Sequence, residues 1–348
     1  LCPFHSEKTP SFMVSPELQI FKCFGCNESG DSISFLQKYE GMDFGEALKF
    51  LADKAGIKLR PLRGQERGEK ERLYEINKQA ANFYHYILLK HQAGKAALSY
   101  LLKQRGLKPD TIKTFQLGFS PDVPFALKKL LVDKKGFNYK ELDRVGLTYS
   151  RDGKIFDRFR GRIIFPLFDH RGNAIGLAGR IPPSKEKRDL AKYINSPETP
   201  VYHKSRVLYG LNLTRSDIKR KGSAVVVEGE LDMISSWQVG VKNTVAIKGS
   251  ALTEDQVSLL SRFTKNLILA PDSDLAGDAA ARRGITIAQN KGLEVKVARL
   301  GKYKDPDEMA RKNTTGYKKA LKSSVGVWDF IIDSIFSKED VSSGQGKG

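Results

Sequence analysis

Four residues at the start of the chain have the types and spacing of a metal site. Cys2-x2-His5 is followed, seventeen residues on, by Cys23-x2-Cys26. Each short turn presents two ligands, and thiolate with imidazole suits tetrahedral Zn²⁺. Four ligands leave no open coordination position, so such a zinc is structural. Gly25 lies inside the second turn, where a permissive backbone helps it close. The three cysteines are an odd number, which argues against a purely disulfide framework. The alternative is an incidental Cys2 and His5 beside a Cys23/Cys26 redox pair. A second set is acidic: Glu228, Asp232, Asp272, Asp274, Asp305 and Asp307. Clustered carboxylates repel one another and call for cations, and hard oxygen ligands select Mg²⁺ or Mn²⁺. Two such ions would activate an attacking hydroxyl and stabilise a leaving pyrophosphate. Asp272 and Asp274 alone could be ordinary turn residues; three carboxylate pairs at three strand ends are a stronger pattern.

The elements that must position these groups are legible in outline. Ser11–Val14 and Gln19–Lys22 read as strands around Ser15-Pro16-Glu17, giving a zinc ribbon. Lys8, Phe12, Phe21, Lys22 and Phe24 either grip single-stranded bases or fill a thin core. Residues 31–63 form a short helical tail, with Asp43 and Glu46 as a capping box. Residues 60–70 read as a linker. Helices are expected at 69–90, 95–105 (closed by Gly106), 109–115, 125–133 and 139–145, and strands at 162–167 and 173–180. Residues 222–305 then alternate strand and helix: strands at 224–227, 244–247, 267–270 and 294–299, helices at 231–239, 253–263 and 277–291. That is a doubly wound sheet, whose ligand site lies beyond the carboxyl ends of the strands, where the acidic residues fall. From 311 on, the chain is Lys-rich and helical, with Trp328, Phe330, Ile331, Ile332, Ile335 and Phe336 as an apolar stripe. The expected division is a zinc-binding ribbon (1–65), a basic α/β subdomain (66–221), a Rossmann-like α/β subdomain (222–310) and a helical segment with a flexible tail (311–348).

Charge narrows the partners. The 348 residues carry a formal net charge of +19, which points to a polyanion, most often nucleic acid. A Lys-rich solubilising surface is the alternative. Residues 154–222 hold 16 Lys/Arg against 6 Asp/Glu, so a basic tract lies beside the acidic cluster. No apolar run approaches the roughly 20 residues of a membrane span.

These residues carry a family resemblance. Leu1-Cys2-Pro3-Phe4-His5, Glu7-Lys8-Thr9-Pro10-Ser11-Phe12 and Cys23-Phe24-Gly25-Cys26 resemble the zinc-binding domain of bacterial DnaG-type DNA primases. Asp157-Arg158-Phe159-Arg160-Gly161-Arg162 with Ile163-Ile164-Phe165-Pro166 resembles the family's basic core motif. Lys192-Tyr193-Ile194-Asn195-Ser196-Pro197-Glu198-Thr199 with His203-Lys204 resembles its next block. Glu228-Gly229 with Asp232, Asp272-Ser273-Asp274, and Asp305-Pro306-Asp307-Glu308 look like a Toprim domain. Two motifs depart from the family: Glu230-Leu231 replaces Tyr-Met, and Ser273 replaces Gly.

The resemblance implies a nucleotidyltransferase that makes short RNA primers on single-stranded DNA for replication, within the primosome. Glu228, Asp272 and Asp274 would be catalytic, and with Asp232, Asp305 and Asp307 would hold Mg²⁺ or Mn²⁺. Arg105, Arg160, Arg162, Arg180, Lys192, Tyr193, Asn195 and Lys204 would contact template or nucleotide. Implied partners are ribonucleoside triphosphates, the RNA–DNA hybrid, and a replicative helicase docked through a further C-terminal domain outside this chain. The implied location is the cytoplasmic bacterial replisome. Competing readings are another Toprim enzyme, such as a topoisomerase or nuclease, and a non-catalytic single-strand binder.

Overall fold

The structure, a computed structural model, describes residues 1–336 apart from 6, 41, 43, 58–64, 186–190, 250 and 273–278. Two compact units divide at Glu69/Lys70.

In the first unit, β1 (Phe12–Ser15), β2 (Ile20–Cys23) and β3 (Ser29–Asp31) form an antiparallel sheet in that order. The strand β3 lies outside the sequence expectation, because Ser29-Gly30-Asp31 has no apolar alternation; its backbone pairs with β2, Phe21 facing Gly30. Asp31 then accepts the Ser34 N–H at 2.7 Å and opens α1 (Ser32–Glu40). The helix α2 (Phe44–Lys54) follows; the expected capping residue Asp43 lies outside the described residues. The rings of Phe4, Phe12, Phe21 and Phe35 meet at 5.5–6.2 Å. The basic–aromatic pattern therefore splits. Phe12 and Phe21 fill the thin core. Phe24 stays exposed with the Lys22 ammonium 5.1 Å from its ring centroid.

The helix α3 (Gln65–Lys90) runs across the division at Glu69/Lys70, and its Leu73, Ile76, Ala80, Tyr84 and Ile87, in the second unit, are buried on one face. Next is α4 (Lys95–Ser99), which runs into a π-helical turn at Tyr100–Gln104. The Arg105 N–H bonds to the Tyr100 carbonyl, five residues back, at 3.0 Å. That turn, which helical periodicity does not reveal, widens the helix end where Tyr100 and Arg105 sit. Then come α5 (Pro109–Thr114), β4 (Gly118–Ser120), α6 (Ala126–Lys128) and α7 (Tyr139–Arg144). The strands β5 (Thr148–Arg151) and β6 (Lys154–Asp157) make a hairpin. Strands β7 (Arg162–Phe168), β8 (Ala174–Arg180) and β9 (Tyr193–Asn195) complete an antiparallel sheet in the order β4-β7-β8-β9. Its central turn is set by Asp169, whose Oδ1 accepts the N–H groups of Arg171, Gly172 and Asn173 at 2.8–2.9 Å.

The chain continues through β10 (Leu208–Tyr209), α8 (Leu211–Lys221), β11 (Ala224–Val227), α9 (Glu230–Gln238) and β12 (Thr244–Ile247). It goes on through α10 (Glu254–Ser261), β13 (Asn266–Leu269), α11 (Ala279–Asn290) and β14 (Glu294–Val297). The sheet order is β10-β12-β11-β13-β14-β15, with β15 at Val325–Gly326, and it is parallel except at its two edges. Alternate residues face two cores. Val225 and Val227 pack with α9, and with Met309 and Ala310 of α12 (Pro306–Lys312). Val226 packs with α8, α10 and α11. The first of these cores also takes in Leu101, Ile163 and Phe165, so the antiparallel sheet and the parallel one share an interior. After residue 311 the chain does more than form helices. Between α13 (Thr314–Lys322) and α14 (Val327–Phe336), the strand β15 (Val325–Gly326) pairs with β14. Val327, Phe330 and Ile331 pack on the second core, while Trp328 and Ile332 are exposed.

Candidate active site

The zinc-type ligands converge in the first unit. One ligand atom from each of Cys2, His5, Cys23 and Cys26 lies within 4.8 Å of all the others. A Zn–S bond near 2.3 Å places tetrahedral sulfurs about 3.8 Å apart, and Cys2 Sγ lies 3.8 Å from Cys26 Sγ. His5 Nδ1 lies 3.7 Å from Cys23 Sγ. The four residues therefore fit one tetrahedral ion, and a Cys23/Cys26 redox pair alone would not bring Cys2 and His5 to them. Glu7, quoted in the motif without a role, sits behind the ligands. Its carboxylate takes the Cys2 N–H at 2.5 Å and the Ser11 hydroxyl, and lies 3.3 Å from His5 Nε2. That contact leaves Nδ1 as the metal-facing nitrogen. Burial pushes the Cys23 thiol up, but the Ser11 hydroxyl and the N–H groups of Cys26 and Gly25 outweigh it and bring the pKa down to about 6. A Cβ on Gly25 would stand 2.7 Å from His5 Nε2, so only glycine fits that turn without a shift.

In the second unit a cavity of about 460 Å³ lies at the carboxyl ends of the parallel strands. It is lined by Glu228, Asp232, Asp272, Asp305 and Asp307, and by Arg105, Arg180, Lys192, Tyr193, Asn195 and Lys204. Eleven of the residues expected at the site therefore share one cavity. Glu228 follows β11, Asp272 follows β13, and the Asp272 N–H approaches Glu228 Oε1 at 3.4 Å. The strand order reverses between β11 and β13, the switch point where open α/β sheets bind ligands. Asp232 in α9 is 9% exposed; its oxygens accept the N–H groups of Gly229 at 3.1 Å and Asp307 at 3.0 Å. Burial first, then the charges of Asp305 and Asp272, hold its carboxyl well above the usual range. Buried carboxylates that repel one another make a donor set of the kind a hard divalent ion takes. Asp305 caps α12, accepting the Glu308 N–H at 2.7 Å.

Two of the cavity's cations are held by tyrosines. Arg180, 5% exposed at the end of β8, donates to the Tyr193 hydroxyl at 2.8 Å and lies over two rings, Tyr193 at 5.3 Å and Tyr100 at 6.0 Å. Arg105 donates to the Tyr100 hydroxyl at 2.7 Å and covers that ring at 5.6 Å.

Several expected residues are placed differently. Arg162 is buried, and its guanidinium donates to the carbonyls of Gly179, Ala191 and Lys192 at 2.8–3.4 Å, so it fastens strands. Arg160 is exposed, 3.5 Å from Asp122, and does not line the cavity. The carboxylate of Asp307, expected as a metal ligand, accepts from two arginines and Ser235. Asp274 lies outside the described residues. Sequence reasoning also missed the buried Lys248–Glu230 ion pair on the cavity wall. Lys248 ends β12 just as the carboxylates end their strands, so a search of strand ends for either charge would have found it.

A zinc ribbon joined to a Toprim-type sheet with acidic strand ends defines the class. Family models match along the chain in order: CHC2 zinc finger over residues 1–67, DNA primase catalytic core, N-terminal domain over 83–215, and Toprim-like over 225–310. The DNA primase of Clostridium acetobutylicum is 37% identical, covering 99% of this chain and 57% of its own length. The Aquifex aeolicus primase structure, containing zinc-binding and RNA polymerase domains, is similar with a TM-score of 0.67 and 33% identity, covering 98% of this chain and 81% of that one. A DnaG primase catalytic domain bound to ssDNA is similar with a TM-score of 0.66 and 30% identity, covering 80% of this chain and 87% of that one. The chain belongs to the bacterial DnaG primase family. It spans little more than half the length of the curated relatives it matches.

Proposed function

We infer that this chain carries out template-directed synthesis of short RNA primers on single-stranded DNA, as a nucleotidyltransferase using Mg²⁺ or Mn²⁺. The observation that supports it most is the single cavity in which Glu228, Asp232, Asp272 and Asp305 face Arg105, Arg180, Lys192 and Lys204. Carboxylates and cations lining one cavity suit a reaction with two polyanions and divalent ions. When bound, the ions supply charge stabilisation at the α-phosphate attacked by the primer's 3′-hydroxyl. The chain's own groups orient. Glu228, Asp232, Asp272 and Asp305, with Asp274, hold the ions. Arg105 and Arg180, stiffened by Tyr100 and Tyr193, take phosphate oxygens in planar forks. Lys192, Asn195 and Lys204 line the approach for template or nucleotide. The similar DnaG catalytic domain holds ssDNA in its own structure, which supports that substrate. In this reading residues 1–65 are a zinc-binding domain, 66–221 the basic subdomain and 222–310 the Toprim subdomain of the polymerase, and 311–348 a helical subdomain with a tail. The RNA–DNA hybrid is the product. The chain would serve a replisome in the bacterial cytoplasm, and a replicative helicase would be met through parts of the whole protein outside it. Among the described residues no helix is long and apolar enough to cross a membrane.

The test is primer synthesis from ribonucleotides on single-stranded DNA. Synthesis should need Mg²⁺ or Mn²⁺ and should vanish in Asp272→Ala/Asp274→Ala. Undiminished synthesis by that variant would overturn the metal assignment.

A further inference from the structure

An ionised carboxylate offers about four lone-pair directions. In Asp307, 2% exposed, protein donors take all four. Oδ1 accepts Arg311 Nε at 2.9 Å and the Ser235 hydroxyl at 2.5 Å. Oδ2 accepts Arg311 Nη2 at 2.9 Å and Arg105 Nη1 at 2.7 Å. The Arg311 contact is a bidentate fork, the most directional of charge-assisted bonds. A metal could enter only by displacing a guanidinium from a buried carboxylate, leaving an unpaired charge in the interior.

The donors come from three places. Arg105 follows the π-helical turn after α4, Ser235 is in α9, and Arg311 is in α12 itself. The geometry points to Asp307 as a positioning residue, not a metal ligand: its carboxylate ties Arg105 to the Toprim sheet and so aims that guanidinium at the bound nucleotide. Two links run outward from this joint. Through Arg105 it holds Tyr100, whose ring also supports Arg180. Through its own N–H it holds Asp232 at 3.0 Å. One acidic residue thus sets the spacing between the basic wall and the metal-holding wall. The inference rests on the polymerase reading for the identity of the ligand Arg105 meets, but not for the metal count.

The experiment counts Mn²⁺ and measures initiation with the full chain. Mn²⁺ is titrated by paramagnetic resonance against the parent, Asp307→Asn and Asp272→Asn. Asp272→Asn should lose Mn²⁺; Asp307→Asn should keep the parent's count. The KM for the incoming nucleotide should rise about tenfold in Asp307→Asn, with the larger part of the kcat/KM loss in KM. In a cycle with Arg105→Gln the double variant should be no worse than the worse single one, because both act through one contact. Arg311→Lys keeps the charge but loses the fork, and serves if Asp307→Asn does not fold. It should raise KM by about threefold with an unchanged Mn²⁺ count. Loss of Mn²⁺ in Asp307→Asn, a higher Mn²⁺ count in Arg311→Lys, or additive effects of the Asp307 and Arg105 variants would each overturn the assignment. An Asp272→Asn protein that binds Mn²⁺ like the parent would instead defeat the polymerase reading.

Discussion

Glu230 occupies a position where the resembling family has tyrosine, and its partner Lys248 explains how this chain tolerates another acid beside the carboxylate cluster. The two side chains are 8% and 4% exposed and pair directly between α9 and the end of β12. A buried pair gains little over apolar residues of the same size, but either member left alone is an uncompensated interior charge. Lys248→Met should therefore destabilise the second unit by about 3–5 kcal/mol. Glu230→Gln combined with Lys248→Met should recover most of that loss, and urea unfolding of the four proteins in the cycle measures it. Equal losses in the single and double variants would mean that packing of the lysine stem, not charge, is what the site needs. The residue types alone already located both charged walls of the cavity; what they could not show was which charges cancel within the protein. Asp307 and Arg162 looked like ligand-binding groups because their chemistry is the same whether the partner is a substrate or a neighbouring chain segment.

At the scale of elements, the parallel strands were the most legible because each is a short, continuous apolar run closed by a polar end. The strands at 224–227 and 244–247 coincide with the reading, and 267–270 and 294–299 shift or shorten by a residue or two. Strands defined by their partners were missed: β3, β4, β9, β10 and β15 have two or three residues each, too few for a period. The β5/β6 hairpin carried a readable signal, Asp152-Gly153, both at positive φ as a two-residue hairpin turn requires. The strand β6 ends in Asp157, which is 1% exposed and accepts the N–H groups of Leu127 and Lys128 at 2.7 and 3.1 Å, capping α6. Burial outweighs those bonds and raises its pKa to about 6. A raised carboxyl favours the folded state while protonated, so its contribution is full below the unfolded value near 3.8 and is lost as pH rises through about 6. The loss is up to about 3 kcal/mol. Asp157→Asn keeps an acceptor and has no charge to bury. Its stability relative to the parent should therefore improve between pH 4 and pH 7, as thermal unfolding at a series of pH values would show. A gap independent of pH would mean that the carboxyl does not titrate in that window.

For the molecule as a whole, the +19 charge identified a class of partner but said nothing about how many bodies share the work. The structure divides the chain into two units whose stabilities have different origins. The first, Leu1–Glu69, has a thin core of phenylalanine rings around four metal-type ligands. So small a core leaves folding dependent on the bound ion, since ligand binding and folding share one free energy. The second unit has two large buried clusters on either face of the parallel sheet and contains both tryptophans of the chain, Trp237 and Trp328. Tryptophan fluorescence therefore follows the second unit alone. Removing zinc with a strong chelator should make residues 1–69 sensitive to limited proteolysis. It should move the tryptophan-detected melting temperature by less than about 2 °C, the equivalent of about 1 kcal/mol for a unit of this size. A shift of ten degrees would show that the ribbon's fold supports the second unit. Resistance of residues 1–69 to protease after complete zinc removal would show that the phenylalanine core suffices, and that Cys2, His5, Cys23 and Cys26 are not what holds the ribbon together.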